Sequence, residues 1–236
     1  MSDVTVLAEC LRPCGPVLEG HGASATLEVL REAAQADGWS ATLDQARAAL
    51  HPVLAASTYL SALVRRWPDR LRVTLQASPQ ARLKAILTET RDLTGGADDV
   101  REPLRLLKAE LHLLTALCDL GGVWNLTQVT AALSDFADAS LRTGFAAVAH
   151  DNRALGRLIA PADPDNPIPG LFGLAMGKHG ARELNYSSDI DVTFFHEREV
   201  LQAVLAERQE AQSFADRAAG AVARLLSDRT GEGYVF

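Results

Sequence analysis

Four prolines between Pro161 and Pro169 stop a helical period that starts near residue 23 and holds to about residue 150. Proline lacks the amide that a helix interior needs and fits poorly in a central strand. The chain is therefore expected to divide into a helical first part and a second part of another kind. Leu104, Leu107, Leu111, Leu114 and Cys118 step by three and four between Arg101 and Leu120. That spacing is the apolar stripe of a helix packed along one side, and Gly121-Gly122 closes it. Leu27, Leu30 and Ala34 share a face that Asp37-Gly38 ends. Thr42 with Gln45 has the form of a capping box opening a short helix to Leu50. Pro52 suits the first turn of the next helix, whose Leu60, Leu63 and Val64 form a stripe before Trp67-Pro68. Ser78-Pro79 starts another, with Leu83, Ile86 and Leu87 inward. Asn125 with Gln128 opens a helix carrying Val129, Leu133, Phe136 and Ser140. Short connections favour antiparallel neighbours. The expected organisation is an irregular segment over 1–22, a helical bundle over 23–159 and a linker over 160–170.

Beyond the prolines the pattern changes. Leu171–Met176 reads as a buried strand, 177–188 as a turn-rich connection, and 189–195 as a second strand. Asp189 and Asp191 open that second strand. Residues two apart share a face, with Cα atoms roughly 6.5–7 Å apart, so both carboxylates are expected to point the same way. Carboxylates so placed repel unless a cation lies between them, and their oxygens suit Mg2+ or Mn2+. Gly177 and Gly180 permit close backbone approach. Ser187 and Ser188 offer hydroxyl and amide groups to a phosphate, and Lys178 a point charge. Glycine, serine and Asp-x-Asp on a strand are the layout of a metal-dependent nucleotidyltransferase. After it, 209–227 reads as a helix with Phe214, Ala218, Val222 and Leu225 along one side, and Tyr234-Val235-Phe236 as the start of a strand.

Competing readings fail on spacing. A phosphate-binding P-loop needs a glycine five before Gly177 and a Ser or Thr after Lys178, where Phe172 and His179 stand. No G-x-G-x-x-G follows the strand. The net charge of −7 argues against a nucleic-acid binder, which carries a basic footprint. Cys10, Cys14 and Cys118 are an odd, sparse set that suits a reducing cytosol. Cys10 and Cys14 with His21 lack an evident fourth zinc ligand. No basic leader and no long uncharged apolar run is visible, so a cytoplasmic protein without a membrane span is expected.

The run Gly177-Lys178-His179-Gly180-Ala181-Arg182-Glu183-Leu184-Asn185-Tyr186-Ser187-Ser188-Asp189-Ile190-Asp191 resembles the signature of the glutamine-synthetase adenylyltransferase/adenylyl-removing enzyme family. That family lies within the polymerase-β-like nucleotidyltransferases. Ser57-Thr58-Tyr59-Leu60, Trp67-Pro68-Asp69 and the stretch from Leu104 through Leu141 resemble its helical segments. His179 stands where the family commonly has an apolar residue, and Ala181 and Arg182 depart from a more glycine-rich pattern.

The resemblance implies an α+β fold: a helical bundle followed by an incomplete polymerase-β-like domain with a small mixed sheet over 171–236. It implies that Asp189 and Asp191 are catalytic and bind Mg2+ or Mn2+, and that Gly177, Lys178, Ser187 and Ser188 hold nucleotide phosphate. The implied chemistry is adenylyl removal from a tyrosine of glutamine synthetase by phosphorolysis, with inorganic phosphate consumed and ADP released. ATP and AMP enter through the opposing activity of the same family. Implied partners are glutamine synthetase and a nitrogen-signalling regulatory protein. The family's third metal carboxylate follows on a strand beyond Tyr234-Val235-Phe236. The chain is thus read as an N-terminal fragment, weak or inactive by itself. The alternatives are another polymerase-β-like transferase, or a non-catalytic module that binds nucleotide or glutamine synthetase.

Overall fold

A computed structural model describes residues 5–17, 22–231 and 233–236. In chain order the helices are α1 (Leu7–Cys10), α2 (Ala23–Ala36), α3 (Ser40–Ala56), α4 (Thr58–Arg66), α5 (Pro68–Gln76), α6 (Pro79–Arg91), α7 (Ala97–Leu120) and α8 (Leu126–Ala154). Strand β1 (Leu171–Met176), the single turn α9 (Gly177–Gly180) and strand β2 (Asp191–His196) follow, then α10 (Arg198–Ala203) and α11 (Ala211–Ser227). The protein is mostly helical with one small sheet, an α+β arrangement. None of the described helices is long and apolar enough to cross a membrane.

The chain forms two compact units, one from residues 1–86 and 109–132, the other from 87–108 and 133–236. This division differs from the expected 23–159 and 171–236, because α7 and α8 each contribute residues to both units. In the first unit Leu30, Trp39, Leu50, Leu54, Leu71 and Leu75 are buried. The Glu110 side chain is buried there and accepts from Arg70 at 2.7 Å and Arg82 at 2.6 Å. Burial pushes the Cys118 thiol well above its ordinary pKa, which keeps it an unreactive packing group. His21, the third member of the conceivable zinc cluster, lies outside the described residues.

The cap expected at Asn125 forms, and Ser57 adds one that was not anticipated. The Asn125 amide donates to the Gln128 side chain, and the Gln128 amide donates back to Asn125 Oδ1, each at 3.0 Å. Ser57 Oγ accepts from the Leu60 amide at the start of α4. All five stripe residues of α7 are buried. One helix differs from expectation: α3 runs unbroken through Pro52, so Thr42 sits inside its first turn and caps nothing. Pro52, Val53, Leu54 and Ala55 are all buried, and burial of that face outweighs the lost amide hydrogen bond.

Within the second unit β1 and β2 pair antiparallel, from Leu171 opposite His196 to Met176 opposite Asp191. The sheet is two-stranded and antiparallel, where a mixed one was expected. Only Leu171 of β1 is buried, which corrects the reading of a buried strand. Gly173 and Ala175 bring too little side chain to fill one face, and no third strand covers the edge among the described residues. Phe172, Leu174, Met176, Asp191, Thr193 and Phe195 share the other, exposed face. The strand expected from residue 189 begins at Asp191. Its ladder stops there because the backbone after β1 leaves the sheet at Gly177, which adopts φ +54°. Residues 234–236 also form no strand. The Val235 and Phe236 amides both donate to the Leu226 carbonyl near the end of α11, so this backbone folds back on the helix end after a turn at Thr230–Gly233.

Candidate functional site

The glycines around α9 show why the chain approaches Asp191 so closely. A Cβ on Gly177 would fall 2.6 Å from Asp191 Oδ2, and one on Gly180 would fall 2.5 Å from the Ala175 carbonyl. Only residues without side chains fit. The structure brings Gly177 and Asp191 together, a pairing the sequence reading did not specify. Asp189 lies two residues upstream, exposed, in the stretch that leads into β2. It lines a cavity of about 280 Å³ with Ile190, Val192, Phe194, Val222 and Phe236 among others.

Between α9 and Asp189 the backbone turns on Asn185. Its Oδ1 accepts from the Ser187 amide at 3.0 Å, and its carbonyl accepts from the Ser188 amide at 3.2 Å. The Asn185 amide in turn donates to Ser188 Oγ at 3.1 Å. Both serine amides are therefore taken up locally. The Lys178 side chain is exposed on α9.

Three residues that sequence reasoning missed, or read otherwise, belong to this region. Lys108 of α7 donates to the Val235 carbonyl, with its Nζ 4.7 Å from the Tyr234 ring centre and 4.8 Å from that of Phe236. Burial draws its pKa down to about 8, the Asp189 charge opposes the shift, and Arg105 reinforces it. A lysine on the flank of the α7 stripe was the available signal. Arg105, fully buried, donates to the backbone carbonyls of Arg101, Leu225, Asp228 and Gly233. It thereby closes the end of α11. His179 is buried, and its Nε2 donates to Asp138 Oδ1 of α8 at 2.9 Å.

The donor set suits a hard divalent cation. Two carboxylates lie within three residues, and one of them closes on a glycine turn that a side chain would obstruct. Among the described residues no three His, Cys, Asp or Glu side chains converge as a metal cage. Asp189 and Asp191 offer oxygen atoms of the kind Mg2+ takes, Asp189 at the cavity with Val192 and Phe194 and Asp191 on the exposed face of the hairpin.

Residues 47–236 match the family described as glutamate-ammonia ligase adenylyltransferase. The chain is 46% identical over 239 residues to the bifunctional glutamine synthetase adenylyltransferase/adenylyl-removing enzyme of Caulobacter vibrioides, covering all of this chain and 24% of that protein. It is 45% identical to the enzyme of the same description from Bradyrhizobium sp. ORS 278, over 85% of this chain and 20% of the relative. The Xanthobacter autotrophicus enzyme is 41% identical over 87% of this chain and 21% of its own length. The chain thus spans a quarter or less of the curated relatives it matches. With a family match over most of its length and this level of identity, the chain belongs to the glutamate-ammonia ligase adenylyltransferase family.

Proposed function

We propose that this chain carries the adenylyl-removing site of a bifunctional enzyme acting on glutamine synthetase, in a polymerase-β-like domain. The observation that carries the reading is Asp191 closing on Gly177, with Asp189 two residues away and Ser188 at the end of the Asn185 turn. Asp189 and Asp191 would hold Mg2+ or Mn2+. Bound there, the cation would supply neutralisation of phosphate charge. Exposed Lys178 and half-buried Ser188 would reach phosphate oxygens, and Gly177 would let backbone and phosphate approach. Inorganic phosphate forms a bond to the adenylyl phosphorus while the bond to the tyrosine oxygen breaks. ADP leaves and the tyrosine oxygen takes up a proton. The residues contribute by alignment and by opposing developing charge. The setting is the cytoplasm, and a nitrogen-signalling protein would regulate the reaction.

The test is a chimera in which this chain replaces the matching quarter of the Caulobacter relative. Asp189→Asn and Asp191→Asn are expected to abolish phosphate-dependent ADP release from adenylylated glutamine synthetase and to spare ATP-dependent adenylylation. Loss of adenylylation with removal intact would overturn the assignment. A second reading is a non-catalytic module that binds glutamine synthetase. It predicts that both activities survive both substitutions.

A further inference from the structure

The turn after β1 is held in place from α8. Asp135 and Asp138 stand three apart on that helix, so they share a face. Asp138 Oδ1 accepts from His179 Nε2 at 2.9 Å, and Asp135 Oδ1 accepts from an Arg182 guanidinium nitrogen at 2.7 Å. The His179 side chain is 1% exposed and that of Asp138 49%, so the imidazole is sealed while its partner keeps water on one side. The carboxylate can only accept, which assigns the proton to Nε2. Nδ1 is buried and meets no partner among the described residues.

One end of the turn needs a glycine and the other is conformationally costly. Gly177 opens it at φ +54° and Arg182 closes it at φ +60°; Arg182 is the sole non-glycine residue with positive φ among those described. A side chain in the left-handed region costs roughly 1–2 kcal/mol, and such a conformation persists only where its surroundings over-determine it. Burying an imidazole with one nitrogen unpartnered costs further desolvation. Filling the space would not require that expense, since an apolar side chain fills space without it. Aiming the ring at Asp138 does require an imidazole-like donor.

We propose that Asp138 and His179 form a positioning couple that, with the Asp135–Arg182 pair beside it, holds the Gly177 turn against the Asp191 carboxylate. Neither residue touches substrate. They act through the backbone of 177–182, whose Gly177 leaves room for Asp191 Oδ2. The effect on metal affinity rests on the cation reading above, and the effect on the turn itself does not.

The experiment uses this chain with two readouts, backbone amide resonances and Mn2+ affinity by electron paramagnetic resonance. Asp138→Ala, on a half-exposed carboxylate, is expected to shift the Gly177 and Asp191 resonances with the thermal midpoint unchanged. It is also expected to weaken Mn2+ binding about tenfold, the low end for a residue that orients a metal ligand. His179→Ala should do the same, and His179→Gln, which keeps a donor near the Nε2 position, should restore most of the affinity. Unmoved Gly177 and Asp191 resonances in Asp138→Ala would overturn the proposal, as would equal Mn2+ affinities for His179→Ala and His179→Gln. Asp191→Asn separates the two readings. If it leaves Mn2+ binding unchanged, the cation assignment fails and the couple stands or falls on the resonances alone.

Discussion

Lys108 is half-buried between Tyr234 and Phe236, and its pKa of about 8 lies below the ordinary value of 10.5. In the unfolded chain the ammonium regains water, so between those two values the unfolded state binds more protons. Stability then rises with pH across that window. The unfavourable contribution is complete below about pH 8 and vanishes above the unfolded value, a change of roughly 3 kcal/mol. Lys108→Met, compared with the parent by circular dichroism in the absence of divalent cations, is expected to flatten this rise between pH 8 and 10.5. An equal slope in both proteins would show that the charge is solvated. Lys108 was hard to find in the sequence because its neighbours Asp189, Tyr234 and Phe236 are distant in the chain. The approach of Gly177 to Asp191 Oδ2 was not legible either, because it follows from the pairing of Met176 with Asp191 across the hairpin. Asp138 sat in plain view on a helix face, but its partner His179 is 41 residues away.

Helices whose order comes from their own spacing and caps were the legible elements. α7 and α8 carry uninterrupted apolar stripes, and Asn125 with Gln128 makes the reciprocal cap that the pattern implied. Asn125→Ala removes one half of that exchange and is expected to lower stability by about 1 kcal/mol, read as a lower thermal midpoint. The elements that departed from expectation are those decided by tertiary surroundings. α3 continues through Pro52 because the residues around it are buried, a fact no local propensity encodes. The expected strand at 234–236 failed because the Leu226 carbonyl took both amides. β1 kept its predicted bounds and lost its predicted burial, since a periodic pattern specifies extended backbone without specifying what covers it.

All three tryptophans, Trp39, Trp67 and Trp124, belong to the first compact unit, while the candidate site lies in the second. Indole fluorescence therefore follows the first unit. Glu110→Ala leaves the Arg70 and Arg82 charges without their buried acceptor, a loss worth about 3 kcal/mol where one partner of a buried pair is removed. Its unfolding midpoint in urea is expected to fall when followed by fluorescence. Mn2+ affinity measured below that transition should stay at the parental level. A parallel loss of Mn2+ binding in folded Glu110→Ala protein would show that the two units do not behave independently.

The uncovered face of the hairpin sets how this chain behaves in the test tube. Phe172 and Phe195 stack with ring centres 5.8 Å apart, Leu174 and Met176 extend the row, and Asp191 is its sole charge. An open strand edge flanked by greasy side chains invites strangers. Purified at millimolar concentration, the chain should scatter light increasingly with time, and Leu174→Lys should keep the solution clear.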